Sequence, residues 1–290
     1  MARGETRRTL SRNEAKIVLE LEWRGQKTVA ASELRSLISA SEGYARFVAH
    51  RLVQKGWLQR IRRGLFQLVP ADRGLDGVGD TNPLALGALL VHPYFFSFGT
   101  ACTYHGFTEQ VFAEVYIASR TNKRAVTIGS TRYVFVSLPQ RRFFGFEEVV
   151  VLGATVRMAT KERAILDALA RPRDSGGMRE VSRIVTKAAY QLSWVKLLAL
   201  ARQWDESAVV QRLGYLVDLH QIELPPKIRG GLQKLVIPTN KVHFGSRAEW
   251  GTSGRLVPAW GIIENIPRAQ LIEKNRRERR RERTAHKRPA

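Results

Sequence analysis

The sequence is poor in cysteine and in acidic residues. One cysteine, Cys102, among 290 residues excludes an internal disulfide framework and every zinc ribbon or finger that needs several cysteines. The first eight residues contain no apolar stretch, so we expect no signal peptide and a reducing, cytoplasmic location. A composition of 44% hydrophobic, 9% aromatic and 26% charged residues excludes wholesale disorder. The length indicates about two domains.

The sequence also lacks a convincing membrane span. The longest uncharged segment, Thr81 to Thr108, has 28 residues, which is enough to cross a bilayer. However, His92-Pro93 lies in its middle and several polar residues follow. A spanning helix would have to satisfy these polar groups in lipid, and the proline would break its hydrogen bonds. We therefore expect no membrane partner, but a short helix from Leu84 to Leu90 and a buried strand from Tyr94 to Phe98.

Catalytic and metal-binding motifs are missing as well. The sequence has no Gly-rich phosphate loop, no His-Glu-x-x-His motif and no GxSxG motif, and its six histidines are scattered. Cys102 and His105 lie three apart in an apolar segment, where a buried thiol and a core histidine are more common than a metal site. Asp167, which core residues flank, either has a function or braces a neighbouring element. We expect no enzyme activity, no cofactor and no metal.

The deficit of acidic residues leaves a large positive charge. Lys and Arg number 48 against 26 Asp and Glu, which gives +22, with +8 in residues 1–70 and +6 in residues 273–290. Self-repulsion of this size is usually tolerated where the partner is a polyanion. Of the basic residues 36 are arginine, whose planar fork suits phosphate, although GC-rich codon usage also favours arginine. Nucleic acid is the first candidate partner, and an anionic membrane surface is the second.

The first seventy residues predict a winged helix-turn-helix domain. Ser11 and Glu14 have the spacing of a capping box, which begins a helix that ends near Gly25. A short extended piece, Thr28 to Ala30, follows, and Ser32 is the expected cap of a second helix. A third helix is expected from about Gly43 to Lys55.

The third helix has one apolar and one polar face at 100° per residue. Ala45, Val48, Ala49 and Leu52 share a sector and are expected to pack inward. The opposite sector combines positive charge, amide and aromatic groups, which can read base edges and hold phosphates. Phe47 is ambiguous, since it fits either a thymine methyl or the core. The predicted DNA-binding residues of this helix are Tyr44, Arg46, Phe47, His50, Arg51 and Gln54.

A β-hairpin is predicted directly after the third helix. Two short alternating runs, residues 57–61 and 65–69, are joined by a turn that contains Gly64. A hairpin in this position is the wing of a winged helix. Arg60, Arg62 and Arg63 are expected at its tip, where they reach the minor groove or backbone phosphates.

The rest of the chain predicts a linker, a larger domain and a basic tail. Residues 71–82 are polar and Gly-rich, as linkers are. Residues 83–272 alternate strand and helix signals, which predicts a mixed α/β domain and an α+β fold class for the whole chain. Residues 273–290 are a solvated charged tail or a non-specific phosphate-binding arm. The strands are expected at 114–118, 125–128, 131–138, 148–152, 155–158, 242–244 and 259–263, and the helices at 161–170, 178–189, 193–203 and 206–220, with Pro225-Pro226 ending the helical run.

Several segments of the larger domain carry a resemblance to a known family, namely residues 96–110, 156–169, Gly176-Gly177 with Glu180-Val181, 211–216 and 260–265. The order of its segments is similar to that of the AbiEi antitoxins, which accompany nucleotidyltransferase toxins in bacterial toxin–antitoxin operons. The composition and tail look most like those of actinobacterial or mycobacterial members. Cys102 and Phe107 stand where an aliphatic residue is more usual, which is a tolerable core exchange.

The resemblance implies a role in two parts. The winged helix would bind inverted repeats of double-stranded DNA in the operon's own promoter and repress it. The larger domain would counteract a nucleotidyltransferase toxin, by contact or by an indirect route. We expect a monomer or weak dimer in solution, two copies on the operator and association with the nucleoid. The alternatives are a nucleic-acid-processing enzyme or factor that a winged helix targets, and a nucleoid binder without sequence preference.

Overall fold

The protein is described by a computed structural model that covers residues 9–71, 82–110, 112–237 and 239–272. Contacts divide the chain into a first unit, residues 1–90 with 127–131, and a second unit, residues 91–126 with 132–290. Nearly all of the predicted linker, residues 71–82, and the whole predicted tail, residues 273–290, lie outside the described residues.

The first unit alternates helices with short strands. The capping box of α1 is confirmed, since the Ser11 N–H donates to Glu14 Oε2 at 2.6 Å. The second helix begins at Ala31, not after a Ser32 cap, because the Ala31 N–H donates to the Gly64 carbonyl at 2.8 Å. The elements are α1 (Arg12–Trp23), β1 (Thr28–Ala30), α2 (Ala31–Ile38), α3 (Glu42–Gln54), β2 (Leu58–Arg62), β3 (Leu65–Leu68) and, after the gap, α4 (Pro83–Ala88).

One hydrophobic core holds the elements from α1 to β3 together. The three strands form an antiparallel sheet in the order β1-β3-β2, with Val29 opposite Phe66. Because each helix turns one apolar face inward, the core contains side chains from α1, α2, α3 and the sheet. Its buried members are Ile17, Val18, Leu21, Val29, Leu34, Val48, Ala49, Leu52, Trp57, Leu58 and Leu68.

A six-stranded sheet has the order β6-β7-β5-β4-β9-β8. Strand β4 pairs antiparallel with β5 and parallel with β9, while β5 and β7 are parallel. The central strand β4 is fully buried, which matches its continuous aromatic sequence. The strands are β4 (Tyr94–Phe96), β5 (Glu114–Ser119), β6 (Val126–Ile128), β7 (Thr131–Ser137), β8 (Phe146–Val151) and β9 (Ala154–Ala159).

Helices and a small second sheet complete the second unit. The small sheet has the order β10-β12-β11, and the buried Trp260 precedes β12. Gly214 is required in α9 because a Cβ there would overlap the Trp260 ring. The helices are α5 (Phe98–Tyr104), α6 (Lys161–Ala170), α7 (Met178–Ala188), α8 (Trp194–Trp204), α9 (Ser207–Leu219), α10 (Pro226–Gln233), α11 (Arg247–Trp250) and α12 (Arg268–Leu271), and the strands are β10 (Val242–His243), β11 (Arg255–Val257) and β12 (Ile262–Glu264).

The structure corrects three of the predicted boundaries. The strand predicted to reach Phe98 ends at Phe96, because Phe98 has a left-handed backbone, with φ of 54°, and begins α5. Pro226 does not end the helical run but begins α10, since proline is well tolerated at the first helical position. The strand predicted at 259–263 lies at Ile262–Glu264, because a turn precedes it.

Candidate nucleic-acid interface

The third helix exposes all six of its own residues that the sequence assigned to DNA binding. Ser41 caps α3, since its side chain accepts from the Tyr44 N–H at 3.3 Å. The predicted inner face is confirmed, because Ala45, Val48, Ala49 and Leu52 are all buried. The six predicted site residues of this helix, Tyr44, Arg46, Phe47, His50, Arg51 and Gln54, are all exposed.

An aromatic group lies at the centre of this face. Phe47 is 53% exposed, so it lies on the outer side of α3 and not in the core, which decides the ambiguity in its prediction. Its ring centroid is 6.2 Å from that of Tyr44, and the Arg51 guanidinium lies 5.8 Å from it. The Tyr44 hydroxyl accepts a hydrogen bond from Asn13 Nδ2 at 3.3 Å, which joins the end of the face to α1.

Two carboxylates accompany the arginines of α3. Glu42 forms an exposed ion pair with Arg46 one turn along the helix. Glu14 of α1 is only 1% exposed, and it forms ion pairs with Lys55 at 2.6 Å and with Arg51 at 3.3 Å. The buried carboxylate of Glu14 therefore holds Arg51 and Lys55 at the end of α3.

Hydrogen bonds keep Glu14 ionised in this position. Burial of the carboxyl group opposes ionisation, but hydrogen bonds from Lys55 and Ser11 outweigh it and lower the pKa of Glu14 below its ordinary value. The carboxylate is thus negative at neutral pH and holds the Arg51 side chain, which is 45% exposed, by charge.

The hairpin between β2 and β3 carries the other predicted residues. Arg60, Arg62 and Arg63 are exposed, and Gly64 closes the turn with φ of 76°, a conformation that favours glycine. The register shifts between Arg60 and Arg62, so the strand bends just before the tip. Because the Gly64 carbonyl accepts from the Ala31 N–H, the turn is fastened to the start of α2.

The sequence identified the exposed residues of this face but not the residues that hold them in place. Asn13 and Lys55 were not singled out, and Glu14 was interpreted only as a cap. The capping spacing identified the contact of Glu14 with Ser11, whereas Lys55 lies 41 positions along the chain from Glu14. Only the packing of α1 against α3 brings the latter two residues together.

A buried polar cluster in the second unit contains Asp167, for which the sequence left a function and a bracing role open. Asp167 and Arg163 are fully buried and form an ion pair at 2.9 Å, and Ser97 donates a hydrogen bond to the same carboxylate. Arg163 also donates to the carbonyls of Arg142 at 2.8 Å and Phe144 at 2.7 Å. Asp167 therefore braces neighbouring segments, which is one of the two roles that the sequence allowed for it.

The other two residues of the second unit that the sequence raised as metal ligands, Cys102 and His105, also have structural environments. Cys102 is fully buried, and burial raises the pKa of its thiol. His105 is half-buried; its Nε2 lies 2.7 Å from the Ala159 carbonyl, and partial burial lowers the pKa of this histidine. Among the residues that the structure describes, no group of three His, Cys, Asp or Glu side chains could hold a metal ion.

A cavity of about 620 Å³ opens beside α7. Glu180 lines it, but one of its oxygens accepts from the Thr108 hydroxyl at 2.5 Å and the other pairs with Arg183 at 3.0 Å. His220 Nε2 lies 2.7 Å from the Ser182 hydroxyl, and burial lowers the pKa of His220. Glu180 and His220 are therefore each bonded to neighbouring side chains.

No helix in the described ranges has the length and apolar character to cross a bilayer.

Comparison with known proteins confirms the family resemblance. Residues 95–219 match the model of the AbiEi antitoxin C-terminal domain. No curated protein matches the chain. Among solved structures, the RV2827C protein from Mycobacterium tuberculosis has the same fold, with a TM-score of 0.68 at 15% sequence identity, over 92% of this chain and 95% of that one.

Proposed function

We propose that this chain, whose residues 95–219 are an AbiEi antitoxin C-terminal domain, is the antitoxin of a toxin–antitoxin pair and represses its own operon. The antitoxin domain supports the role in a toxin–antitoxin system. Repression of the operon by direct binding to DNA is the part that we add. In this proposal the chain is a non-enzymatic regulator that works in the cytoplasm in association with the nucleoid.

The first unit, in this proposal, is a winged helix-turn-helix that binds double-stranded DNA. Its element order, three helices with a hairpin directly after the third, supports this assignment. Helix α3 would enter the major groove, where Arg46, His50 and Gln54 have donors suited to base edges. Arg62 and Arg63 of the hairpin would contact phosphates or the minor groove.

One observation carries the proposal more than any other. All nine predicted residues lie exposed on α3 and on the hairpin that follows it. The carboxylate that holds Arg51, by contrast, is buried beneath the helix. The negative charge of Glu14 is therefore kept inside while the arginines face outward, and Glu42 at the start of α3 is the exposed carboxylate of this helix, which suits a polyanion partner.

The operator and the toxin follow from the family. We propose that two copies bind inverted repeats in the operon's promoter, since the symmetry of a repeat matches that of two protein copies. The toxin would be a nucleotidyltransferase, which the second unit counteracts by contact or by an indirect route.

Binding of the full chain to its own promoter fragment tests the proposal. We expect the Arg46→Ala/Gln54→Ala variant to fold normally and to lose preference for the promoter over random DNA of equal length. Each good base contact contributes about 1–3 kcal/mol of discrimination, so the preference should fall at least about tenfold.

The matched control removes the same side-chain types elsewhere. Arg202 and Gln203 are exposed neighbours on α8, and Arg202→Ala/Gln203→Ala should leave the preference unchanged. A wild-type chain that binds promoter and random DNA equally would favour a nucleoid binder. A chain that cleaves or modifies the DNA would favour a processing enzyme.

A further inference from the structure

The outer side of α1 carries an exposed apolar pair that no core contact explains. Trp23 is 82% and Leu19 is 62% exposed, while Ile17, Val18 and Leu21 on the other side are buried. Leu19 and Trp23 are one helical turn apart and therefore adjacent on the surface. Scattered apolar side chains are normal on a protein surface, but an adjacent tryptophan and leucine form a patch of the kind found at interfaces.

Apart from the buried capping residue Glu14, the charges of α1 run against the helix dipole. The exposed basic residues Arg12 and Lys16 lie toward the amino end, and Glu20 and Glu22 lie toward the carboxyl end, where no basic residue occupies the last turn. An isolated helix is stabilised by the reverse distribution. A second helix with the same charge distribution, if it lay antiparallel to α1, would place opposite charges and opposite dipole ends side by side.

A second copy of α1 has the required chemistry, since it supplies the same apolar pair with the same charge gradient. We propose that α1 is a self-association surface through which two copies of this chain pair in antiparallel orientation. A two-fold axis beside Leu19 brings the two Leu19 side chains together. Trp23 then lies opposite Ala15 and the aliphatic part of Lys16 of the second copy, at the same distance from the axis.

The same symmetry pairs the charges. Lys16 and Glu22 lie three residues on either side of Leu19, so the axis places Lys16 of each copy opposite Glu22 of the other. Within each copy Glu20 is paired with Arg24 at 2.6 Å, and Glu22 also accepts a hydrogen bond from the Ala71 N–H at 3.3 Å. Parallel helices would instead place like charges side by side. The charge pattern therefore selects antiparallel pairs of this chain.

The contact is small, so the association is weak. A single helix pair anchored by two tryptophans and two leucines buries less than the ~1,200 Å² of a typical stable interface. We expect a dissociation constant on the order of 10–100 µM. Two copies held near one another on a nucleic acid would pair at a much higher effective concentration.

Sedimentation equilibrium of the full chain without DNA tests the pairing. We expect the average mass to rise from one toward two chains over the micromolar range. Leu19→Ala/Trp23→Ala should raise the dissociation constant about tenfold or more. Tyr190→Ala/Val195→Ala, which removes side chains that are 90% and 69% exposed in the second unit, should leave it unchanged. A wild-type chain that stays monomeric, or a variant of α1 that associates normally, would overturn the proposal.

A charge exchange tests the orientation while both apolar side chains remain. Arg12→Glu/Lys16→Glu makes the exposed charges of α1 acidic, and Glu20→Lys/Glu22→Lys makes them basic, so neither variant should pair with itself. An equimolar mixture of the two should form a mixed dimer. A mixture that remains monomeric would contradict the antiparallel contact. Because these measurements contain no DNA, failure of the pairing leaves the DNA-binding proposal standing, and the reverse also holds.

Discussion

At the scale of single residues, Glu14 connects the folding of the first unit with its exposed face. Its carboxylate caps α1 through Ser11 and holds Lys55 and Arg51 at the end of α3. The sequence predicted only the first of these contacts, because a capping box is a local pattern. Contacts between residues far apart in the chain depend on how the helices pack, and no spacing rule reveals them.

Replacing this carboxylate should destabilise the protein. We expect Glu14→Gln to lower the free energy of unfolding by about 1–3 kcal/mol, because it removes a charge-assisted buried contact. Urea denaturation measures the loss. Glu20→Gln breaks an exposed ion pair with Arg24 and should cost less than about 1 kcal/mol. Equal losses in the two variants would mean that burial of Glu14 contributes nothing.

The same variant should alter the response to acid. Since the pKa of Glu14 is lowered in the folded protein, its contribution is complete above its unfolded pKa of about 4.5 and disappears as the pH falls through the folded pKa. The stability of Glu14→Gln should therefore fall less steeply than that of the wild type below about pH 4.5. The pKa of Glu264 is also lowered, so Glu264 adds the same loss of stability in acid to the wild type and to Glu14→Gln.

At the scale of elements, the hairpin and α3 are predicted to act differently on DNA. Arg62 and Arg63 are exposed at the tip of the hairpin, and we predict that they contact phosphate. We expect Arg62→Ala/Arg63→Ala to weaken binding to promoter and random DNA alike. Each lost phosphate contact should reduce the slope of log affinity against log salt by roughly 0.9.

The control for the hairpin variant removes an equal charge from the second unit. Arg141 and Arg247 are both exposed, and Arg141→Ala/Arg247→Ala lowers the net charge by the same amount. If the salt slope falls equally in both variants, the hairpin contributes only net charge. A slope unchanged by the hairpin substitutions would remove the hairpin from the interface.

The sequence was most informative about elements with a periodic pattern. The faces of α3, the hairpin and α6 follow from spacing, because apolar periodicity and turn residues are local signals. The end of β4 could not be predicted, since the left-handed backbone of Phe98 accompanies a hydrogen bond between Ser97 and the distant Asp167. The sequence did not predict that α10 begins at Pro226, because a Pro-Pro pair can follow the end of one helix or begin the next.

At the scale of the whole molecule, the first unit is predicted to fold by itself. Its hydrophobic core is built from side chains between Ile17 and Leu68, with partly buried neighbours such as Leu10. We expect a fragment of residues 1–75 to show helical circular dichroism and a cooperative thermal transition. A fragment that remains unfolded would mean that the hairpin or α1 requires residues from the rest of the chain.

We propose that recognition of DNA and neutralisation of the toxin belong to different parts of the chain. The antitoxin domain match covers residues 95–219, whereas the predicted DNA-binding residues lie between Tyr44 and Arg63. Substitutions on α3 should therefore abolish one activity and spare the other, provided that the protein remains folded.

The most direct test places Arg46→Ala/Gln54→Ala in cells that carry a reporter of the operon's promoter and the toxin under a foreign promoter. We predict that the variant accumulates at the normal level, fails to repress the reporter and still restores growth. A folded variant that loses both repression and rescue would show that neutralisation requires nucleic-acid binding, and it would contradict the division of roles. A variant that represses normally would place the recognition face elsewhere.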